Sequence, residues 1–238
     1  MPPTQHGGRR ATSSSRVLSH RAMLRITAAG AALTMCAALA ACGIAKPAHV
    51  TGKTAAPGTV AMIIRHGEKP DKSSPLPGVD INGNPADSSS LTQVGWNRAR
   101  NLVGVFDPQG SAVRAGLARP KAIYAAGVTE GGSGERARET VTPLAQHIGI
   151  PVDADFGKGD EQALVDQITS QPGPTLISWQ HSEIPLIAES FGNVTPAPPS
   201  TWPADRFDVI WTLTANGHGW TFAQVPELAL PGDQAQPI

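Results

Sequence analysis

Four residues of this chain, Arg65, His66, Arg136 and His181, have side chains suited to holding and attacking a doubly charged anion. Arginine presents a planar fork of N–H donors that matches phosphate oxygens. A neutral imidazole nitrogen can attack phosphorus, and a fixed positive charge beside it gathers and neutralises the oxygens. Arg65 and His66 are adjacent, in the run Arg65-His66-Gly67-Glu68, whereas Arg136 and His181 lie far along the chain. Each is unremarkable alone: a His-Gly pair is usually a turn, Arg136 a surface helix residue and His181 a loop histidine. Their chemistry depends on whether the fold gathers them.

The surrounding segments give a means of gathering them. Thr59 to Ile64 is an apolar run that reads as a buried strand and ends directly at Arg65-His66. Ala122 to Ala125 and Thr175 to Trp179 read as further strands, the latter stopping just before His181. Pro70 to Ser90 is a long turn-rich loop. Ser90-Leu91-Thr92-Gln93 matches a capping box, with Leu91, Val94, Ala99, Leu102 and Phe106 following at helical spacing. Ser133 is placed to cap a second helix, faced by Ala137, Val141, Leu144 and Ile148, which Pro143 should kink or shorten. That helix carries Arg136 in its first turn. Gln162 to Ile168 and Ile184 to Phe191 read as helices, and Val209 to Leu213 and Trp220 to Val225 as closing strands. Strands alternating with helices predict an α/β domain with a mostly parallel sheet and helices on both faces. Ligands of such sheets bind at the carboxyl edge, where Arg65, His66 and His181 fall.

These segments resemble the histidine phosphatase superfamily. RHGEKP at 65 to 70 is similar to its signature after the first strand, and LTQVGWNRAR at 91 to 100 to its "LT-x-x-G-x-x-RA" helix. RARETVTPLA at 136 to 145 is similar to the helix that carries its second arginine, and TLISWQHSEIP at 175 to 185 to the strand before its second histidine. The resemblance implies a three-layer, phosphoglycerate-mutase-like fold over residues 59 to 238. It implies that His66 becomes phosphohistidine and that Arg65, Arg136 and His181 bind the phosphate of a small phosphorylated substrate. It implies no metal and no organic cofactor, because arginines supply the positive charge. Arg138, two residues on from Arg136, should face elsewhere, since two residues turn a helix by about 200°.

The chain departs from the family pattern twice. Gly132 stands where members commonly carry serine or threonine, with Ser133 as a possible substitute. The proton donor is not marked by a motif: many members use a glutamate some distance beyond the second arginine, and by that resemblance Glu161 is favoured, with Asp160, Asp153 and Glu183 as alternatives. A missing donor restricts substrates to good leaving groups, because proton transfer is worth about 10² to 10⁴ in rate. The leading expectation is a phosphomonoester hydrolase. The alternatives are a phosphate-ligand binding module of the same fold and a phosphoglycerate-type mutase; export argues against the latter, whose sugar phosphates are cytosolic.

Export is read from residues 1 to 41, which carry five arginines, no acid and an apolar run from Ile26 to Ala41, as a secretory signal does. Leu39-Ala40-Ala41-Cys42 resembles the lipobox of bacterial lipoproteins, which implies a lipid on Cys42 and attachment to the outer face of the cell membrane. Residues 42 to 58 read as a flexible tether. Beyond residue 41 there remain 14 bases and all 19 acids, a net charge of about −5. That balance argues against a nucleic-acid partner. Cys36 and Cys42 are the only cysteines, so the domain has no thiol for a disulfide, a zinc site or a nucleophile. Among the remaining charged residues, Arg98 and Arg100 read as solvated charges, and Glu68 and Lys69 as rim or surface groups. Trp179, Trp202, Trp211 and Trp220 read as core or lid packing. The segment 201 to 211 could cover the pocket, although core packing is the simpler reading.

Overall fold

The apolar run before Arg65 forms a strand, β1 (Val60–Arg65), whose last five residues are buried, and it lies in the middle of a seven-stranded mixed sheet. The structure is a computed structural model that describes residues 55–71 and 77–238. The expected leader and Cys42 lie outside the described residues. Chain order continues with α1 (Gln93–Phe106), β2 (Ala122–Ala125), α2 (Glu135–Ile148), β3 (Val152–Asp153), α3 (Glu161–Ser170), β4 (Pro174–Trp179), α4 (Ile184–Ser190), β5 (Val194–Thr195), β6 (Val209–Ala215) and β7 (Trp220–Pro226). The strand order is β3-β2-β4-β1-β6-β7-β5. β3, β2, β4 and β1 run parallel, β6 is antiparallel to both β1 and β7, and β5 is parallel to β7. This is an α/β fold. Among the described residues, no helix is long and apolar enough to cross a membrane.

Register makes the carboxyl edge of the sheet flush. Arg65 pairs with Trp179 and Ala125 with Ser178, so β1, β2 and β4 end together. β6 runs the other way, and Ile64 pairs with Ile210, so the segment entering β6 arrives at this same edge. The tryptophans are core residues, as expected. Trp179, Trp211 and Trp220 are fully buried, and Trp211 packs between Trp202 and Phe222 with ring centroids 5.0 and 5.2 Å away.

Several boundaries differ from the sequence reading. The cap of α1 is Thr92, not Ser90: Thr92 Oγ1 accepts from Gly95 N at 3.2 Å. Ser90 and Leu91 stay outside the helix because the Leu91 amide donates to Glu139 Oε2 at 2.7 Å. Starting at Gln93, α1 buries Trp96, Arg98, Ala99 and Leu102 and leaves Val94 exposed. Arg98 is therefore not a solvated charge but is 3% exposed and bound by three carboxylates. The cap of α2 is Gly134, not Ser133, with φ 92°. A Cβ there would fall 2.1 Å from the Gly127 carbonyl, which only glycine avoids. Pro143 does not shorten α2, which continues to Ile148 and ends on Gly149 in the left-handed conformation. The last residues of the stretch read as a tether join the domain: Ala55 is buried and the Gly58 amide donates to Ala215 O at 3.4 Å. The two-residue strands β3 and β5 have no counterpart in the sequence reading.

The loop after β1 rides directly on α1. The Thr92 amide and Thr92 Oγ1 both donate to Glu68 O, at 2.9 and 3.1 Å. A Cβ on Gly95 would sit 2.5 Å from that same carbonyl, whereas one on Gly104, in the same helix, meets nothing within 4 Å. We expect Gly95→Ala to destabilise the protein by about 1–3 kcal/mol through overpacking. Gly104→Ala should stabilise it by about 0.5–1 kcal/mol by removing a flexible residue from a helix. Urea unfolding of the two variants checks this pair, and a Gly95→Ala protein as stable as wild type would contradict the close approach.

Candidate active site

Arg65 ends β1 with no exposed surface. Its Nη1 donates to the carbonyls of Ala204 at 2.6 Å, Arg206 at 3.0 Å and Pro203 at 3.5 Å. The Phe207 ring lies under the guanidinium, 3.7 Å from Cζ to the ring centroid. Nε and Nη2 are buried and have no protein partner. Burial lowers the guanidinium to about 10, Glu68 and Asp205 oppose the shift, and Arg136 adds to it.

His66 follows at 4% exposure. Its amide donates to Trp179 O at 3.0 Å, so the backbone remains in the sheet ladder. Its ring Nδ1 lies 2.8 Å from Gly67 O. A carbonyl can only accept, so Nδ1 carries the proton and Nε2 presents its lone pair. Burial, followed by the charges of Arg65, Arg136 and Lys69, pulls the imidazole down to about 3 against the Gly67 hydrogen bond. The ring is neutral at physiological pH, as a nucleophile requires.

The peptide after His66 is held from two sides. The Gly67 amide donates to Thr140 Oγ1 at 2.8 Å, and Thr140 Oγ1 donates to Arg136 O at 2.7 Å. Thr140 therefore joins the loop after His66 to the helix that carries Arg136. On the other side a Cβ at Gly67 would come within 3.1 Å of the Gly95 backbone.

Arg136, the second residue of α2, donates from Nη1 to Ser88 O at 2.9 Å and leaves Nε buried without a partner. Burial lowers its pKa, while Glu139 and Asp87 oppose the shift. Arg138 faces away, as expected, paired to Glu135 Oε1 at 2.6 Å. His181, just past β4, is partly buried and its Nδ1 has no partner. Its pKa is lowered by burial, then by Arg65 and Lys69, against Glu183.

The four expected side chains share one electrostatic neighbourhood. Arg65 acts on both imidazoles, Arg136 acts on Arg65 and His66, and the exposed Lys69 acts on both imidazoles. Three of the four carry buried donor or acceptor atoms without protein partners: Arg65 Nε and Nη2, Arg136 Nε and His181 Nδ1. Such atoms suit an anion with several oxygens.

The acids lie differently. Glu161 opens α3, is buried, and accepts from Gly159 N at 3.1 Å. Among the described residues, no hydrogen bond or ion pair joins it to the four. Asp160 accepts from Gly157 N and Asp153 from Asp155 N, at 2.9 and 3.0 Å. Glu183 is ion-paired to Lys158 at 2.6 Å and accepts from Ser182 Oγ at 2.7 Å; of the four acids it alone acts on His181. Ser133 Oγ accepts from Gln180 Nε2 at 3.3 Å, next to His181. Among the described residues, no cluster of three or more His, Cys, Asp or Glu could hold a metal ion.

Thr140 belongs to this neighbourhood without having been read as a site residue; Lys69 is the residue read as a rim or surface group, and Phe207 lies in the segment 201 to 211, read as a cover of the pocket or as core packing. The four-residue spacing of Arg136 and Thr140, which places both on one helix face, was the available signal for Thr140. Nothing local marks the contact of Phe207 with Arg65. No protein-family model matches the chain, and no curated protein matches it.

A neutral buried imidazole leaves a mark on stability. The unfolded chain binds the His66 proton near 6.5 and the folded chain near 3. Stability is therefore complete above about pH 6.5 and is lost as pH falls through that window. We expect wild type to lose unfolding free energy more steeply than His66→Gln between about pH 6.5 and about pH 4, by at most about 1.4 kcal/mol per pH unit. Parallel profiles from chemical denaturation would contradict the neutral, buried state.

Proposed function

We propose that the protein is a phosphomonoester hydrolase of the histidine phosphatase type. The observation that supports it best is the pairing of a proton-bearing Nδ1 on His66, which frees Nε2, with the unpartnered buried nitrogens of Arg65, Arg136 and His181. His66 Nε2 attacks phosphorus as the bond to the leaving oxygen breaks. Arg65, Arg136 and His181 hold the equatorial oxygens as charge spreads over them. Water then attacks the phosphohistidine, the P–N bond breaks, and inorganic phosphate leaves.

On this reading the fold is three-layered and phosphoglycerate-mutase-like. α1 packs on α2 and α3 on α4. With the right-handed crossovers that parallel strands ordinarily take, the steps from β1 to β2 to β3, then back to β4, would put those pairs on opposite faces. Residues 1–41 and Cys42 make it an exported, lipid-anchored protein, a reading that rests on the sequence pattern.

Glu161 remains the proposed proton donor by its position in the chain. Among the described residues no hydrogen bond or ion pair joins it to Arg65, His66, Arg136 or His181, which favours substrates whose leaving groups need little protonation. The same separation favours a second reading, a module that binds a phosphorylated ligand without turnover.

The purified protein should hydrolyse an activated aryl phosphate in excess EDTA, and His66→Ala should lower kcat by about 10³-fold or more. Turnover that survives the substitution unchanged would sink the reading. Tight phosphate binding with no turnover on any ester would favour the binding module.

A further inference from the structure

Arg98 is the other buried arginine near the site, and its use of donors is the reverse of Arg65's. Nε donates to Glu68 Oε1 at 3.0 Å. Nη2 donates to Glu68 Oε1 at 2.7 Å and Asp233 Oδ1 at 2.8 Å. Nη1 donates to Glu227 Oε1 at 2.6 Å and Asp233 Oδ2 at 3.0 Å. A guanidinium has five N–H donors, and all are engaged. Arg65 keeps two nitrogens free for a ligand, whereas Arg98 keeps none.

The partners of Arg98 lead back to the site. Glu68 is two residues past His66, and its backbone is already held by Thr92. Glu227 and Asp233 lie in the segment after β7. The Glu227 amide donates to Asp208 O at 2.8 Å, and Arg114 Nη2 donates to Glu227 O at 2.8 Å. Asp208 in turn accepts from Gln234 N and from Arg206 Nε, both at 2.7 Å. Phe207, stacked under Arg65, lies between Arg206 and Asp208. The C-terminal segment thus braces the nucleophile loop through Arg98 and the Arg65 cradle through Asp208.

We infer that Arg98 is a positioning residue that fixes the loop carrying His66 by locking Glu68 to Glu227 and Asp233. This deepens the phosphohydrolase reading and rests on it. The planar fork is essential: a lysine supplies the charge but cannot bridge three carboxylates in one plane. Burial pushes the Glu227 carboxyl up to about 7, so without the guanidinium it can take a proton, which allows a neutral replacement to fold.

The test uses the full chain with an activated aryl phosphate and inorganic phosphate as a competitive inhibitor. In Arg98→Met and Arg98→Lys, kcat should fall about 10- to 100-fold, as expected for a nucleophile misplaced by a fraction of an ångström to an ångström. KM and the inhibition constant for phosphate should stay within about 3-fold, because Arg65, Arg136 and His181 are untouched. Methylguanidinium at millimolar concentration should restore part of kcat in Arg98→Ala. Glu68→Gln, which keeps the backbone contacts with Thr92, should show the same split and decides the matter if the Arg98 variants do not fold. A folded Arg98→Met or Glu68→Gln protein with wild-type kcat, or with phosphate affinity lost in proportion to kcat, would overturn the assignment. Failure of wild type to show His66-dependent turnover would instead overturn the reading of the site itself.

Discussion

The structure turns on the burial of the Arg65 guanidinium. Removing a charge from water costs several kcal/mol even after relaxation, so a buried cation must be paired and hydrogen-bonded. Here the protein supplies only part of that. Three carbonyls take Nη1, the Phe207 face takes the π-cation contact, and Nε and Nη2 are left without partners. The nearest carboxylate in sequence, Glu68, is committed to Arg98. On the proposed reading, an incoming dianion would complete the arginine's coordination, and the same unmet donors would act more strongly on a phosphoryl group whose charge is spreading outward. The lowered pKa of His66 belongs to the same constraint: burial, and then the positive groups Arg65 and Arg136 beside it, disfavour a further charge, so the imidazole stays neutral.

The scaffold needs several close approaches to build this site. Parallel β1, β2 and β4 end flush, which sets His66 and His181 on neighbouring strand ends. The antiparallel β6 delivers the segment 203–207, whose carbonyls and ring enclose Arg65. Gly67 and Gly95 let the loop after β1 lie against α1, and Gly134 lets α2 start against the strand end of β2, so that Thr140 reaches that loop. A side chain at any of these glycines would push apart two elements that the site needs in contact.

Much of this was legible in the residues themselves. Buried strands of a parallel sheet are continuous apolar runs, so β1 and β4 were evident, as were the positions of Arg65, His66 and His181 at their ends. The i,i+3/i+4 apolar pattern marked α2 and with it Arg136. The failures have physical causes. The Ser90 cap was misread because the Leu91 amide finds a tertiary partner, Glu139, which no local pattern encodes. Ser133 lost the cap of α2 to a glycine forced by the proximity of Gly127. Arg98 looked solvated because its three carboxylates come from distant segments. Phe207 lies in the segment read as a pocket cover or as core, but its contact with Arg65 was not legible, because that partner lies on β1 and only the fold brings the two together. The strands β3 and β5, of two residues each, are too short to carry a period.

The central claim concerns one nitrogen atom. Rapid acid-free quenching during turnover of a ³²P-labelled aryl phosphate, followed by proteolysis and peptide mapping, measures it directly. The account predicts an acid-labile, base-stable label on the peptide containing His66, absent from His66→Ala. Turnover at full rate with no label on that peptide, or a label on any other residue, would contradict it.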